Sequence, residues 1–180
     1  FNDQTSGNVN YWHWYFGDGS SSFLENPSHT YTSSGTFNVL LISGDTLGCI
    51  DSVSHPITIF PLPVASAGTD QNVCSGGSIT LTASGGVTYV WHPSGSTGST
   101  ITINPSGSTN ISVTVTDANG CSAIDTMSIA VLPLPNINAG TDAFICAGGS
   151  VTLSASGGIT YVWMPGGFSG PNYTVDPATT

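Results

Sequence analysis

The feature that most constrains the fold of this chain is an internal repeat with a fixed offset of 72 residues. Residues 67–70 (Ala-Gly-Thr-Asp) recur at 139–142, and residues 88–91 (Thr-Tyr-Val-Trp) recur at 160–163. The same offset relates Cys49 to Cys121, so the more divergent first third of the chain keeps the register. A chain of such repeats folds each copy from the same few elements, which predicts a tandem array of small domains.

Hydrophobic residues within each repeat alternate with polar ones, as expected for strands with one buried face. Trp12, Trp14 and Phe16 share one face of a strand that ends at a Gly-Asp-Gly turn, and Phe37, Val39 and Leu41 share one face of a later strand. Ile111, Val113 and Val115 share a face in the second repeat, and Asn119-Gly120 then supplies a hairpin turn. The pattern therefore predicts an all-β fold made of sandwiches.

The repeat and its Pro-Leu-Pro segments also predict the domain boundaries. Residues 1–60 form a first domain whose first strand we expect to lie before Phe1, and residues 61–66 form a linker. Residues 67–132 form a second domain and 133–138 a second linker. Residues 139–180 form a third domain, of which we expect the C-terminal part to be missing.

Three motifs of the first domain resemble the polycystic-kidney-disease (PKD) domain family. They are Trp14-Tyr15-Phe16-Gly17-Asp18-Gly19, then Pro27-Ser28-His29-Thr30-Tyr31, then Gly35-Thr36-Phe37. The resemblance covers about the first third of the chain, with its motifs in the family's order. It implies an extracellular, immunoglobulin-like spacer or interaction module that is not an enzyme.

Residues 67–180 resemble the Ig-like and PKD-like repeats of large cell-surface or secreted proteins of Bacteroidota bacteria. The resemblance rests on the opening from Ala67 to Cys74 and on the hairpin from Asp117 to Cys121. It implies a bacterial protein that is secreted or held at the cell surface. Three Asp-Ser/Thr-hydrophobic tripeptides look like the O-glycan acceptors of these bacteria, which makes Thr46, Ser52 and Thr126 the candidate glycosylation sites.

The charge balance excludes several classes of partner. The 180 residues contain no Lys or Arg against 10 Asp plus Glu, a net charge of -10. Nucleic-acid binding is excluded because phosphates must be neutralised by Lys or Arg, and an anionic membrane surface is disfavoured for the same reason. No apolar run approaches the roughly 20 residues of a membrane span, so we expect none in this segment.

The four cysteines lack the Cys-x-x-Cys spacing of zinc and redox sites, which favours disulfides. Cys74 and Cys121 are the default pair within the second domain, while Cys49 and Cys146 would find partners outside the sequence. Immunoglobulin topology places a first turn and a last hairpin at opposite ends of a sandwich, beyond the ~7 Å limit for a bridge. Bridges across a junction between domains, or free thiols, therefore stay open alternatives.

No motif indicates catalysis or a cofactor. His13, His29, His55 and His92 lie in different motifs without ligand spacing, and the aspartates occupy turns and strand ends where they serve the backbone. Weak Ca²⁺ binding at a junction is conceivable, although no Asp-x-Asp-x-Asp loop supports it. We therefore expect neither catalytic, cofactor nor metal residues. Trp91 and Trp163 are predicted to fill cores, with sugar stacking by an exposed Trp or Tyr as the alternative.

These observations predict a structural segment of a long extracellular repeat protein: an adhesin stalk, a surface filament or a sheath component. We expect a rod-like array that self-associates into filaments or meets neighbouring arrays, with polysaccharide or cell-surface molecules as further ligands. The alternative is a non-catalytic accessory, spacer or carbohydrate-binding array of a secreted hydrolase.

Overall fold

The computed structural model describes residues 1–176, and every regular element in that range is a β-strand. The all-β prediction is therefore confirmed. The strands are β1 (Val9–Tyr15), β2 (Ser21–Ser22), β3 (Gly35–Asp45), β4 (Ile50–Ile59), β5 (Gln71–Cys74), β6 (Ile79–Thr82), β7 (Thr88–His92), β8 (Thr100–Ile103), β9 (Thr109–Thr116), β10 (Ser122–Leu132), β11 (Val151–Ser154), β12 (Val162–Trp163), β13 (Phe168–Ser169) and β14 (Asn172–Val175).

The first repeat forms one four-stranded antiparallel sheet in the order β2-β1-β3-β4. Its core is the cluster of Trp14, Phe16, Val39 and Leu41, whose exposed fractions are between 2% and 7%. The predicted alternation is confirmed here, because all four lie at the period-two positions that the sequence assigns to the inner faces. Burial of each side chain stabilises the fold by roughly 1.5–3 kcal/mol. Phe1, Trp12, Tyr31 and Ile57 pack against this cluster.

The turn after β1 depends on glycine for two reasons. Gly17 has a φ of 83°, in the left-handed region that side chains other than glycine rarely adopt. A Cβ at this position would also lie 2.8 Å from the backbone oxygen of Asn38 in β3. The Phe-Gly-Asp-Gly motif therefore lets the chain leave β1 against the backbone of its neighbour.

The second repeat forms two sheets, one in the order β5-β10-β9-β7 and one of β6 with β8. Strand β5 pairs with β10 in parallel, with Gln71 opposite Ile129 and Cys74 opposite Leu132. Both sheets contribute fully buried side chains, among them Leu81, Trp91 and Val113. This is the immunoglobulin-like sandwich that the alternation predicts.

Strand registers show that Trp14 and Trp91 occupy equivalent places. Trp14 lies opposite Leu41 in the first repeat, and Trp91 lies opposite Val113 in the second. Leu41 and Val113 are related by the 72-residue offset. Each indole also donates a hydrogen bond to a backbone carbonyl, from Trp14 to Glu25 and from Trp91 to Gly98.

The third repeat, up to residue 176, contains the small sheets β11-β14 and β12-β13. Trp91 is fully buried as predicted, and its copy Trp163 is half-buried within residues 139–176. Trp163 keeps the local contact, because its indole donates to Gly170 as that of Trp91 donates to Gly98.

The chain divides into two compact units. One contains Phe1–Asp70, Thr80–Ile103 and Asn110–Ser128, and the other contains Gln71–Ile79, Asn104–Thr109 and Ile129–Thr180. The domain boundaries given by the repeat stay predictions.

The strand register places Cys74 and Cys121 near opposite ends of β10. Cys74 lies opposite Leu132, the last residue of β10, whereas Cys121 directly precedes Ser122, the first residue of that strand. At ~3.3 Å per residue, the length of β10 separates the two cysteines by roughly 35 Å, and a disulfide needs Cα atoms within about 7 Å. All four cysteines are free thiols in the structure, and their pairing stays a prediction.

Candidate functional site

The polar centre of the first repeat lies at the turn after β1. The Asp18 carboxylate accepts hydrogen bonds from the backbone N–H and the hydroxyl of Ser20, at 3.0 and 2.6 Å. Its second oxygen lies 2.7 Å from Nε2 of His29, the histidine of the Pro-x-His-x-Tyr motif. Two motifs that are separate in the sequence thus meet at one carboxylate.

The same contacts set the acidity of this carboxyl group. Hydrogen bonds from the hydroxyl and then the N–H of Ser20, followed by the one from His29, lower the pKa of Asp18 from 3.8 to about 2. Asp18 is therefore ionised throughout the physiological range.

Aromatic packing holds His29 in place. Its ring stacks on Phe16 with a centroid distance of 4.1 Å and meets Tyr31 edge-on at 4.7 Å. The Tyr31 hydroxyl donates to the carbonyl of Phe16 at 2.9 Å. Burial, and then the nearby charge of Asp18, raises the pKa of Tyr31, so this hydroxyl stays protonated as a donor.

Ser20, His29 and Asp18 have the residue types of a catalytic triad but not its geometry. In a triad the serine and the carboxylate contact different nitrogens of the histidine, so that one nitrogen can take the serine's proton while the other donates to the carboxylate. Here both Ser20, at 3.3 Å, and Asp18 contact Nε2, and the Ser20 hydroxyl donates to Asp18 itself. The arrangement closes the turn and does not activate the serine.

An apolar cleft of about 440 Å³ opens on the inner face of the same sheet. Its walls include Phe1, Trp14, Leu41 and Ile57, and residues 2–5 and His55 also line it. Asp3 accepts a hydrogen bond from the indole of Trp12 at 2.8 Å, and another from Thr5. Partial burial alone would raise the pKa of Asp3, but these hydrogen bonds outweigh it and leave the pKa lowered.

Aspartates elsewhere also serve the backbone, as expected from their positions in turns. Asp45 accepts from the N–H groups of Leu47 and Cys49, and Asp117 does so from the equivalent residues of the second repeat. Asp125 accepts from the N–H of Ala67. Within residues 1–176 no group of three or more His, Cys, Asp or Glu side chains is placed to hold a metal ion.

The predicted O-glycosylation sites lie on three different elements, and all are exposed. Thr46 lies in the β3–β4 turn, Ser52 on β4 and Thr126 on β10. The structure does not bring them together, and their modification stays a prediction. In the described part of the chain there is no helix that could span a membrane.

A cluster of rings on the outer face of β1 was not predicted from the sequence. Tyr11, His13 and Tyr15 alternate with Trp12 and Trp14, so their period was visible in the sequence. The fourth ring, Phe23, follows β2 and joins them only through the sheet. No spacing rule predicts that contact.

Comparisons with known proteins give one family match, which lies in the first repeat. The PKD domain matches residues 1–60, and no curated protein matches the chain.

Among solved structures, the chain is similar to the fibronectin(III)-like modules of CbhA from Clostridium thermocellum, with 16% identity, a TM-score of 0.40, and 73% of this chain and 83% of that one covered. It is also similar to SGBP-B of the mixed-linkage glucan utilization locus of Bacteroides ovatus, in complex with a mixed-linkage heptasaccharide. Here the identity is 13% and the TM-score 0.24, with 92% of this chain and 59% of that one covered. A third similar structure is a Ca²⁺-stabilized adhesin that helps an Antarctic bacterium to bind ice. Its identity is 14% and its TM-score 0.31, with 84% of this chain and 49% of that one covered. The chain thus spans about half to three fifths of the last two. It is an all-β protein of immunoglobulin-like type whose residues 1–60 match the PKD domain family.

Proposed function

We propose that this chain is a structural segment of a long extracellular repeat protein, serving as part of an adhesin stalk, a surface filament or a sheath. The observation that carries the proposal is the 72-residue repeat of immunoglobulin-like units that follows a PKD domain. Repeated domains joined by short Pro-containing linkers span distance without catalysing a reaction.

The polar chemistry of the first two repeats supports a mechanical role. Asp18, Asp45 and Asp117 each accept hydrogen bonds from backbone groups of turns and hairpins. Such contacts fix loops between strands, because a hydrogen bond from a backbone N–H to an ionised carboxylate is stronger than one between neutral groups. Carboxylates used in this way are not available as acids or bases.

Self-association through sheet edges follows from the same proposal. Strand β4 pairs only with β3 among residues 1–176 and lies at the edge of its sheet. Exposed edges are usually protected by charge, above all by Lys, and this chain contains no Lys. The Ser- and Thr-rich surface would allow contacts between neighbouring arrays.

Electron microscopy of the native protein tests the proposal. Strands of this length plus a linker give a rise of roughly 35–40 Å per domain along an extended array. We expect filaments or long stalks with a repeat on that scale. Compact monomers that do not associate at any concentration would contradict the structural role.

The second candidate function is a non-catalytic accessory array of a secreted hydrolase, and the exposed rings of Tyr11, Tyr15 and Phe23 favour it. Such an array would space or dock a catalytic domain outside this sequence. The full-length gene product separates the two functions: a catalytic domain on the same polypeptide supports the accessory role, whereas a surface-sorting domain supports the stalk.

A further inference from the structure

Four rings form an aromatic face on the outer side of the first repeat. Tyr11, His13 and Tyr15 project from β1, and Phe23 projects from the segment after β2. Tyr11, Tyr15 and Phe23 are 42%, 41% and 64% exposed, although exposed aromatic side chains are costly to leave in water. These rings are not part of the core cluster of the first repeat, so core packing does not explain why aromatic residues occupy these positions.

The rings hold one another in fixed positions. His13 lies with its centroid 4.0 Å from that of Tyr15 and 4.0 Å from that of Phe23, with interplanar angles of 32° and 30°. The Tyr11 hydroxyl lies 3.4 Å from Nδ1 of His13. A ligand that stacks on Tyr15 or Phe23 therefore meets a ring already ordered, and little side-chain entropy is lost on binding.

The neighbouring strands extend this face with uncharged groups. His13 lies opposite Ile42, which lies opposite Ser52, and Tyr15 lies opposite Leu40, which lies opposite Ser54. Across the sheet the surface thus changes from rings to half-buried aliphatic groups to exposed hydroxyls. These registers place no carboxylate among the rings, so the face combines stacking surface with neutral hydrogen-bonding groups.

Two classes of stacking partner fit poorly. Nucleic acids stack on aromatic rings but need cations for their phosphates, and a chain with no Lys or Arg and a net charge of -10 repels them. A stable protein interface needs roughly 800 Å² per partner. The three exposed rings offer on the order of 300 Å², since a whole aromatic side chain buries about 150–250 Å².

We propose that this aromatic face binds a neutral polysaccharide, with the apolar faces of pyranose rings stacked on Tyr15 and Phe23 and sugar hydroxyls bonded to serines of β4. The inference goes beyond the mechanical role proposed above and does not depend on it, because a face on one domain binds whether or not the array forms filaments.

Affinity electrophoresis of the whole chain in gels containing a soluble neutral polysaccharide tests this inference. The panel contains mixed-linkage β-glucan, xylan and galactomannan, with anionic alginate for comparison, and insoluble cellulose and chitin serve in sedimentation assays. We expect retardation by at least one neutral polysaccharide. Tyr15→Ala combined with Phe23→Ala should weaken it roughly tenfold or more, as for dominant aromatic contacts in other interfaces.

Two variants separate stacking from folding. Tyr15→Phe keeps the ring and should keep most of the binding, and Ile124→Ala changes a side chain of the second repeat that is 67% exposed and should leave binding unchanged. Unfolding curves confirm that each variant is folded.

Failure of every neutral polysaccharide to bind would overturn the inference. A loss of binding in Ile124→Ala as large as that in the ring variants would also overturn it. Loss of self-association in the ring variants without polysaccharide binding would instead assign the face to contacts between copies. Filaments that do not bind sugar would leave the structural role intact.

Discussion

Asp18 joins the turn of the first repeat to the Pro-x-His-x-Tyr segment. It accepts two hydrogen bonds from Ser20 and one from His29, and His29 in turn packs between Phe16 and Tyr31. The pKa of Asp18 is about 2, below the ordinary value of 3.8. A carboxyl group with a lower pKa in the folded state stabilises that state when ionised.

Asp18 therefore predicts a pH window for the stability of the first repeat. Its contribution is fully present above pH 3.8 and is lost as the pH falls through about 2. Asp18→Asn should lower the unfolding midpoint at pH 7, and the difference from the native chain should shrink between pH 4 and 2. Urea unfolding at a series of pH values, with NMR titration of the Asp18 carboxyl, measures both effects.

Ser20→Ala is the matched control for this prediction. It removes the hydroxyl that contributes most to the lowered pKa but keeps the Asp18 carboxylate. The pKa of Asp18 measured by NMR should rise toward the ordinary value, and the pH at which the stabilisation is lost should rise with it. A difference between Asp18→Asn and the native chain that persists unchanged down to pH 2 would show that the charge is not what stabilises the turn.

At the scale of the strand and its partners, Trp91 and Trp163 are the same residue of the repeat in two environments. Trp91 is 0% exposed and lies opposite Val113 of β9. Trp163 is half-buried in the two-stranded sheet of β12 and β13. The buried area lost on truncation is therefore much larger at Trp91.

Truncating the two tryptophans should have unequal effects. Trp91→Ala should destabilise the second repeat by about 3–5 kcal/mol, as expected for a fully buried Trp, whereas Trp163→Ala should cost less than half as much. Hydrogen exchange of the β7–β9 pair and of the β12–β13 pair, measured during urea titration, localises each loss. Equal losses at the two sites would mean that Trp163 is buried to the same degree in solution.

The strands also show what sequence patterns do and do not predict. Alternation correctly identified the buried faces of β1, β3 and β9, because a period of two depends only on local geometry. It did not predict that β5 pairs in parallel with β10, since periodicity identifies faces and not partners. That pairing places Cys74 and Cys121 near opposite ends of β10. The stacking of Phe23 on His13 escaped prediction for the same reason.

For the whole molecule, the complete absence of Lys and Arg offers an unusual experimental opportunity. Trypsin cleaves only after these residues, so the native sequence provides no cleavage site even when it is unfolded and reduced. A single introduced Lys is then the only site in the chain, and its rate of cleavage reports the local accessibility of the backbone there.

Unique lysines in the predicted linkers test the domain boundaries. Val64 and Ile137 lie in those linkers with side chains 86% and 74% exposed, and neither is followed by Pro. Under native conditions Val64→Lys and Ile137→Lys should each give two fragments, roughly tenfold faster or more than Thr126→Lys, whose exposed side chain lies within β10. Leu134→Lys should stay uncut because Pro135 follows it, and the other three variants should all be cut once unfolded. Equal native rates at Ile137 and Thr126 would show that residues 133–138 are held as firmly as a central strand, and the division of the chain at the Pro-Leu-Pro segments would then be wrong.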